Sequence, residues 1–500
     1  MKTNKIIILL LSAILLGASC SKDFLNVPVY DTMTADAAAK AAEASPEKVA
    51  FFVDAIYNIL VNADLANTGS HDAFGYMAIL HAADLMSEDI VMNAQNFFIY
   101  DYLHDNREWN FNRTSTIWRY FYTAITSANN VLLITSAEST SPLILATRGQ
   151  ALALRAFSYF YLIQLYQHVY PVSASGDRPG VPMYYASNEG KANISGRASV
   201  ATVLAQIEED LTTAVDNLKG WNRNSKNQIN YSVANGLLAR YYLLTEQWDN
   251  AAKAAKEARK GLSIMPASSL LDGFMDIGNT EWMWGYDHNP ETATFYASFF
   301  SHISNLASGY AGLNYAARLI DKRLYESIPD SDLRKQWFQT SPKSITPKVK
   351  PSEKAIAWEL PYANLKFGDD GAFTMDYLYM RTSEMVLIEA EALAQQGLGA
   401  QAATVLKELL SQRDPNWNAG SVTAEEVWHQ RRIELWGEGF ATFDLKRLHK
   451  GIDRNYTGSN HYSAAKFAIP AGDKRWIFQI PQSEILENPD ISEADNNEKS

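Results

Sequence analysis

Apolar and polar residues alternate with a helical period over most of the chain beyond residue 46. When apolar side chains recur every three or four positions, one face of a helix is buried. This pattern predicts helices over residues 47–64, 113–135, 142–168, 199–218, 231–245, 248–261, 314–326, 376–397, 399–412 and 424–437. Ser199 is placed to cap one helix, and Thr423 with Glu426 forms a capping box at the start of another. The fold is therefore predicted to be mostly α-helical.

Two stretches, residues 231–261 and 380–412, each pair two predicted helices across a very short turn. Alanine and glycine recur where the paired helices would touch, and Tyr242 and Trp248 flank the first turn. Small residues at helix contacts, with aromatic residues filling the gaps, are typical of tetratricopeptide hairpins. Either stretch alone would fit a generic helical hairpin equally well, but the recurrence of the design favours a repeat architecture.

Irregular segments interrupt the helical pattern. Residues 66–112 and 266–312 are rich in asparagine, glycine, serine and aromatic residues with weak periodicity, and residues 340–374 contain several prolines. Long irregular segments inside a compact chain usually carry function. Alternation over residues 281–286 predicts a strand whose shared face carries Trp282, Trp284 and Tyr286.

The N-terminal residues have the order of an export signal. Two lysines precede an uncharged apolar run over residues 6–16, and the small residues 17–19 come just before Cys20. The run is too short to cross a bilayer as a helix, which takes about 20 residues. We therefore interpret residues 1–19 as a lipoprotein signal peptide, Cys20 as the lipidated first residue of the mature chain, and residues 20–46 as a lipid-anchored spacer. The alternative is an ordinary secretory signal followed by an incidental cysteine.

Charge and composition exclude several classes of function. The formal net charge of −12 argues against a nucleic-acid partner, which requires a basic surface. Since Cys20 is the one cysteine of the chain, a disulfide framework and a cysteine metal cluster are excluded. The sequence also lacks the HExxH, GxSxG, phosphate-loop and EF-hand motifs. We predict no catalytic residue, no metal site and no cofactor.

Residues 431–447 concentrate carboxylates and arginines around two glycines. Two carboxylates near a bend could form an acid/base pair. We favour a paired, partly buried charge network that holds the last helical repeat against the C-terminal segment, because buried charges need partners and this segment supplies both signs. Asp369, Asp370 and Gly371 form the nearest approach to a calcium loop, and we interpret them as a turn.

Several blocks of the chain resemble, in order, the SusD/RagB family of outer-membrane nutrient-binding lipoproteins. Residues 148–171 are apolar nearly all round the helical wheel and are followed by Gly180-Val-Pro182, like the signature helix of that family. The other blocks are Trp118 to Asn129 and residues 197–218, 431–447 and 478–491. The resemblance covers essentially the whole chain. It implies a mostly α, SusD-like fold, in which tetratricopeptide-type repeats support an irregular, loop-rich ligand-binding lobe with a few short strands.

The resemblance also implies a domain organisation. Residues 47–500 would form a single SusD-like domain. Its helical hairpins would lie near residues 113–168, 199–261 and 376–447, and its binding lobe would comprise residues 66–112 and 266–374.

The function implied by the resemblance is binding rather than catalysis. Members of the family are lipid-anchored at the surface of the outer membrane, where they capture oligosaccharides or, in some members, peptides. They deliver this cargo to a SusC-like TonB-dependent transporter. A peptide or another non-glycan nutrient is the first alternative cargo. An exported glycoside hydrolase is the second alternative, because sequence spacing does not exclude two carboxylates facing across a cleft.

Sugar recognition needs flat aromatic faces that stack on sugar rings, together with polar groups that bind hydroxyls. In the family these groups come from loops outside the repeats. Two loops of this chain, residues 92–106 and 282–302, combine such residues. We predict ligand contacts from Asn96, Phe97, Phe98, Tyr100, Trp284, His288, Tyr296, His302 and Tyr310. The alternative for each of these aromatic residues is a place in the core.

Overall fold

The structure, a computed structural model, describes residues 35–62, 69–169, 171 and 176–499. The predicted signal peptide, Cys20 and most of the predicted spacer lie outside these residues. The N-terminal helices are α1 (Ala35–Ala44), α2 (Pro46–Ile59), α3 (Tyr76–Met86) and α4 (Ile99–Tyr102). The helical layer that follows consists of α5 (Asn112–Ile134), α6 (Pro142–Tyr166), α7 (Val200–Leu218), α8 (Tyr231–Leu244) and α9 (Trp248–Ala258).

The second half of the chain adds α10 (Phe299–Ile303), α11 (Lys322–Glu326), α12 (Thr382–Gln395), α13 (Gly399–Leu410), α14 (Ala424–Glu434), α15 (Ala441–Arg447) and α16 (Gln482–Glu487). The strands, in chain order, are β1 (Ile90–Met92), β2 (Trp282–Tyr286), β3 (Arg318–Ile320), β4 (Tyr377–Arg381), β5 (Ile452–Asp453) and β6 (Ala468–Ile469). The strands pair antiparallel as β1 with β3, β2 with β4, and β5 with β6. The prediction of a mostly α fold with a few short strands is confirmed.

Helix α6 is the buried centre of the helical layer. It packs between α5 and α7, and its residues are buried nearly all round, as its apolar pattern predicts. The Ser141 side chain caps its first turn by accepting from the Ile144 amide, and Pro142 occupies the next position. The predicted caps at Ser199 and at Thr423 with Glu426 are present as well.

The two predicted hairpins form as α8 with α9 and α12 with α13, and α9 packs against α12. Gly236 on α8 explains how closely these elements approach. A Cβ atom at this position would lie 2.4 Å from the Met380 sulfur of β4, so the Met380 side chain would have to move to admit a larger residue. Small residues at the helix contacts therefore position the strands that lead into the irregular half of the chain.

Two predicted helices are wrong at their N-terminal ends. Residues 314–321 do not belong to a helix, because Arg318–Ile320 pairs with Ile90–Met92 as a strand. The helix predicted from residue 376 begins only at Thr382, since β4 precedes it. All residues of β3 and β4 are buried. Their sequences therefore lack the alternation of apolar and polar residues that would distinguish a strand from a helix.

The sequence pattern also missed α1 and α3. Helix α1 lies inside the segment predicted to be a spacer, and its residues are mostly alanine. Helix α3 lies inside an irregular segment, and every one of its residues is buried, so it has no polar face to mark the helical period. The predicted strand β2 forms, but all five of its residues are buried and a bulge shifts its register after Trp282.

A buried network of ion pairs joins the C-terminal end of α14 to strand β4. The Arg381 guanidinium contacts Glu434 and Glu438, each at 2.8 Å. The further members are Arg334 and Arg413 on Glu434, Lys366 on Glu438, and Glu281 on Arg381. Although burial raises the pKa of Glu434, three arginines hold it well below its usual value. Burial likewise raises the pKa of Glu438, but Arg381 and Lys366 hold it low, so neither carboxyl is tuned as a general acid. The charges of residues 431–447 are therefore paired and buried as predicted, but Glu434 and Glu438 bind β4 and residues 334, 366 and 413 rather than the C-terminal segment.

Candidate functional site

An aromatic surface forms where two irregular segments, residues 66–112 and 266–312, meet. We define it by four rings, His71, Phe97, Tyr296 and Tyr310. The ring centroids of Phe97 and Tyr310 are 5.0 Å apart, and those of Tyr296 and Tyr310 are 5.3 Å apart. The two predicted ligand loops, residues 92–106 and 282–302, therefore converge on one surface.

The His71 ring contacts the other three rings, as the Tyr310 ring also does. Its centroid lies 5.6 Å from that of Phe97, 5.8 Å from that of Tyr296 and 5.9 Å from that of Tyr310. The His71 Nδ1 atom and the Tyr310 hydroxyl are 2.7 Å apart and share a hydrogen bond. The surface thus combines flat apolar faces with an imidazole held at its centre.

Further aromatic side chains extend this surface at its edge. Phe295 is 45% exposed, and its ring packs against Tyr296 at 4.5 Å and against Phe373 at 4.1 Å. Tyr315 is 58% exposed, with its ring 6.4 Å from that of Tyr310. Clustered exposed aromatic faces of this kind mark binding sites more often than scattered ones do.

His302 supports the aromatic surface from below. Its ring is buried, stacks on Tyr310 at 5.0 Å and on Phe74 at 5.6 Å, and its Nε2 lies 2.8 Å from the His71 carbonyl oxygen. Because a carbonyl oxygen can only accept, the proton of His302 must reside on Nε2. Burial, helped by the charge of Arg318, lowers the pKa of His302 to about 3, so the ring is neutral.

A charged bridge holds the segment that carries His71. The Arg113 guanidinium contacts the carboxylates of Asp72, at 2.8 Å, and Asp101, at 2.9 Å. Burial raises the pKa of Asp72, but the neighbouring Arg113 lowers it below its usual value. Ser70 also donates a hydrogen bond to Asp72. The residue after His71 is therefore tied to helix α5 and to helix α4.

Two of the predicted site residues lie in the core. Phe98 is 2% exposed, and its ring packs against Phe74 and His302. Trp284 is fully buried between neighbouring rings and donates from Nε1 to the Asn227 carbonyl at 2.9 Å. Their prediction as ligand contacts is therefore corrected, because neither ring offers a face to solvent. His302, which is 1% exposed, supports the surface without being part of it.

The remaining predicted residues differ in position. Phe97, Tyr296 and Tyr310 belong to the aromatic surface. Asn96 is half-buried, and its Oδ1 accepts from the Phe97 amide at 2.8 Å, so it orders the turn before Phe97. Tyr100 is 55% exposed on α4. His288 is half-buried, with its ring 4.3 Å from that of Tyr377 and 4.9 Å from that of Tyr286.

His71, Phe295 and Tyr315 were not predicted. His71 lies in the irregular segment assigned to the binding lobe, which is the signal that could have included it. Its partner Tyr310 is 239 positions away in the sequence, however, so no local pattern links the two residues.

Neither a metal centre nor a membrane span is evident in the part of the chain that the structure describes. Those residues include no group of three or more His, Cys, Asp or Glu side chains that could hold a metal ion. Among the described helices, none combines the length and apolar character needed to cross a bilayer. Asp370 accepts from the backbone amides of residues 372, 373 and 374, which is the geometry of the predicted turn.

Comparison with known proteins gives consistent matches. A family model described as "Starch-binding associating with outer membrane" matches residues 40–243, and one described as "SusD family" matches residues 359–497. The SusD-like protein P2 of Formosa agariphila is 24% identical over 377 residues, which cover 67% of this chain and 72% of that protein.

Solved structures share the fold over nearly the whole chain. A SusD-like carbohydrate binding protein from Bacteroides vulgatus is 26% identical, with a TM-score of 0.76, covering 92% of this chain and 98% of its own. A laminarin binding SusD-like protein is 18% identical, with a TM-score of 0.64, covering 91% of this chain and 99% of its own. The latter likeness is one of fold alone.

Proposed function

Since this chain belongs to the SusD/RagB family, we propose that it captures oligosaccharides at the cell surface and delivers them to a SusC-like TonB-dependent transporter of the outer membrane. The observation that carries this proposal is the aromatic surface. Phe97, Tyr296 and Tyr310 present flat faces that can stack on the apolar faces of sugar rings, and His71 adds a polar group between them.

The charges beneath the aromatic surface favour an uncharged ligand. Asp72 and Asp101 carry two negative charges, and Arg113 and Arg318 carry two positive charges. Arg318 lies below His302, bonded through its Nε to His81 Nε2 at 3.0 Å. These four charges cancel, so we expect a neutral oligosaccharide rather than an acidic one.

The site residues of the proposal are Phe97, Tyr296 and Tyr310, extended by His71. The half-buried Asn96 and His288 and the exposed Tyr100 are kept as outer contacts. The relative from Bacteroides vulgatus is a carbohydrate binding protein, which supports the same class of ligand. Peptide cargo would call for charged walls, and the aromatic and imidazole composition of the surface favours sugar instead.

The membrane part of the proposal rests on the N-terminus. We propose that Cys20 carries lipid and holds the protein on the outer membrane, exposed at the cell surface and close to its transporter partner. A lipid-anchored binding protein next to a transporter raises the local concentration of cargo at the barrel entrance.

Affinity electrophoresis tests the binding proposal. A soluble Cys20→Ala chain without its signal peptide is run through gels that contain starch, laminarin, xylan or pectin. Retardation in at least one gel, and its loss in a Phe97→Ala/Tyr296→Ala variant, is the expected result. Phe51→Ala is the matched control, because Phe51 is 69% exposed on α2 and belongs to a different segment. Equal retardation of the double variant and wild type would place the site elsewhere.

The alternatives are tested with the same samples. Incubation of the protein with each polysaccharide, followed by measurement of reducing ends, should give no release, because we propose binding without catalysis. Release of reducing ends would favour the glycoside hydrolase instead. Retention by immobilised peptides, with no retardation by any polysaccharide, would favour peptide cargo.

A further inference from the structure

We propose that His71 is the hydrogen-bond donor of the aromatic surface, that it presents Nε2–H to an acceptor oxygen of the sugar, and that the Tyr310 hydroxyl fixes this tautomer. The inference rests on the proposed function and names the group that gives the surface its specificity for a hydroxylated ring. It concerns a residue that the sequence pattern did not single out.

The tautomer follows from the bond between the two side chains. His71 Nδ1 and the Tyr310 hydroxyl are 2.7 Å apart. The Tyr310 hydroxyl is protonated, since burial and the neighbouring Tyr296 raise its pKa, and we assign it as the donor in this bond, with Nδ1 accepting. A neutral imidazole has one accepting nitrogen and one N–H. With Nδ1 accepting, the proton of the ring resides on Nε2.

The Nε2 atom is available to a ligand. Among the residues that the structure describes, His71 makes its side-chain hydrogen bond through Nδ1, and Nε2 has no protein partner. His71 is half-buried, and its Nε2 atom is not a buried polar atom without a partner. This nitrogen is therefore accessible, and the donor faces solvent.

The donor is held in place before any ligand arrives. The His71 ring is stacked on Tyr296 with 7° between the ring planes, and its carbonyl accepts from His302. Asp72, the next residue, is tied down by Arg113. A group that is fixed in this way loses little conformational freedom on binding, so its hydrogen bond contributes more to affinity than that of a mobile side chain.

The geometry suits a pyranose with hydroxyls at its edge. A sugar ring that stacks on Phe97 or Tyr310 turns its apolar face to the aromatic ring and its hydroxyl oxygens outward, in reach of an in-plane donor. A sugar that lacks the accepting oxygen would leave the His71 N–H without a partner. We therefore expect His71 to discriminate between hydroxylated and deoxygenated rings by about tenfold, which corresponds to 1.4 kcal/mol.

Two variants separate the donor from the ring. His71→Phe keeps an aromatic ring and removes both nitrogens, whereas Tyr310→Phe keeps its ring and removes only the hydroxyl that fixes the tautomer. Tyr286→Phe is the control, because its hydroxyl donates to Asn58 at 2.8 Å rather than to a residue of the aromatic surface. Thermal unfolding of each variant checks that it is folded at the temperature of the binding measurement.

The first measurement needs no ligand. Long-range ¹H–¹⁵N spectra of histidine-labelled protein report which nitrogen of His71 carries the proton, with His71→Phe identifying the signal. We expect the Nε2–H tautomer in wild type and a mixture of tautomers in Tyr310→Phe. An Nδ1–H tautomer in wild type would overturn the proposal.

The second measurement uses the starch, laminarin, xylan and pectin gels. Where wild type is retarded, His71→Phe and Tyr310→Phe should each bind about tenfold more weakly, and Tyr286→Phe should bind like wild type. Unchanged retardation of His71→Phe, while Tyr296→Ala loses retardation, would overturn the role of the donor. If none of the four polysaccharides retards wild type, the glycan proposal fails for them, while the tautomer spectrum still decides whether His71 presents Nε2–H.

Discussion

The imidazole of His71 lies parallel to the ring of Tyr296, with 5.8 Å between the centroids and 7° between the planes. The two residues come from the two separate segments of the irregular lobe, residues 66–112 and 266–374, and their contact joins these segments before a ligand binds. Their neighbours Phe97 and Tyr310 pack on the same imidazole. The candidate site is thus preorganised by its own aromatic contacts.

Tyr296→Ala should weaken oligosaccharide binding about tenfold, because a stacked aromatic ring contributes on the order of 1–2 kcal/mol. Tyr296 is 43% exposed, so its removal should leave the stability of the fold nearly unchanged. Calorimetry with an oligosaccharide of the retarding polysaccharide measures the effect, and Phe51→Ala serves as the control. Wild-type affinity in the folded Tyr296→Ala variant would argue against the aromatic surface.

Phe98→Ala should act on stability rather than on binding. Phe98 is 2% exposed, and its ring packs on His81 at 4.9 Å and lies under the Arg113 guanidinium at 5.0 Å. Truncation of a buried phenylalanine lowers the free energy of unfolding by about 3–5 kcal/mol. Urea unfolding measures this loss. A stable variant with weakened binding would return Phe98 to the ligand site.

Glu438→Gln should destabilise the fold without a direct effect on binding. Glu438 is buried between Lys366 and Arg381, and the amide would leave both cations short of a charged partner. Breaking a buried pair in this way costs about 3–5 kcal/mol. Glu425→Gln is the control, since the exposed pair of Glu425 and Lys450 should contribute at most about 1 kcal/mol. Equal unfolding midpoints for the two variants would contradict the structural role of the network.

His302→Gln should make the protein more resistant to acid. Burial, with Arg318, lowers the pKa of folded His302 from 6.5 to about 3, whereas the unfolded chain takes up this proton near pH 6.5. The unfolded state therefore binds more protons between these values, and stability falls as pH falls. Glutamine retains an N–H for the His71 carbonyl but does not titrate, so the variant should gain about 2–3 kcal/mol relative to wild type between pH 7 and pH 4. Parallel pH–stability curves would exclude this contribution.

Cys20→Ala should release the protein from the membrane fraction and leave its fold intact. The reason is that the lone cysteine closes the predicted signal peptide and would carry the lipid. Fractionation of cells that lack the transporter partner measures the effect, and circular dichroism checks the fold. A variant that still sediments with outer membranes would disprove the anchor.

The sequence by itself determined the elements whose signals are local. The all-round apolar pattern of α6, the capping box at Thr423 and Glu426, and the small residues of the two hairpins all predict structures that form as expected. Caps and helical periods depend on residues three or four positions apart, so they can be recognised from the sequence. The irregular segments that carry the candidate site could be recognised in the same way, because they lack a helical period.

Only the tertiary structure decided which side chains of those segments face solvent. Phe97 and Phe98 are neighbours of the same residue type, yet Phe97 joins the aromatic surface whereas Phe98 is in the core. Trp284 is buried because Phe157 of α6 and Tyr379 of β4 pack against its ring, and His71 enters the site because Tyr310 and His302 bind it across more than 200 positions. Burial and ring contacts of this kind depend on which distant segments pack together, and that information is not contained in any local pattern of residues.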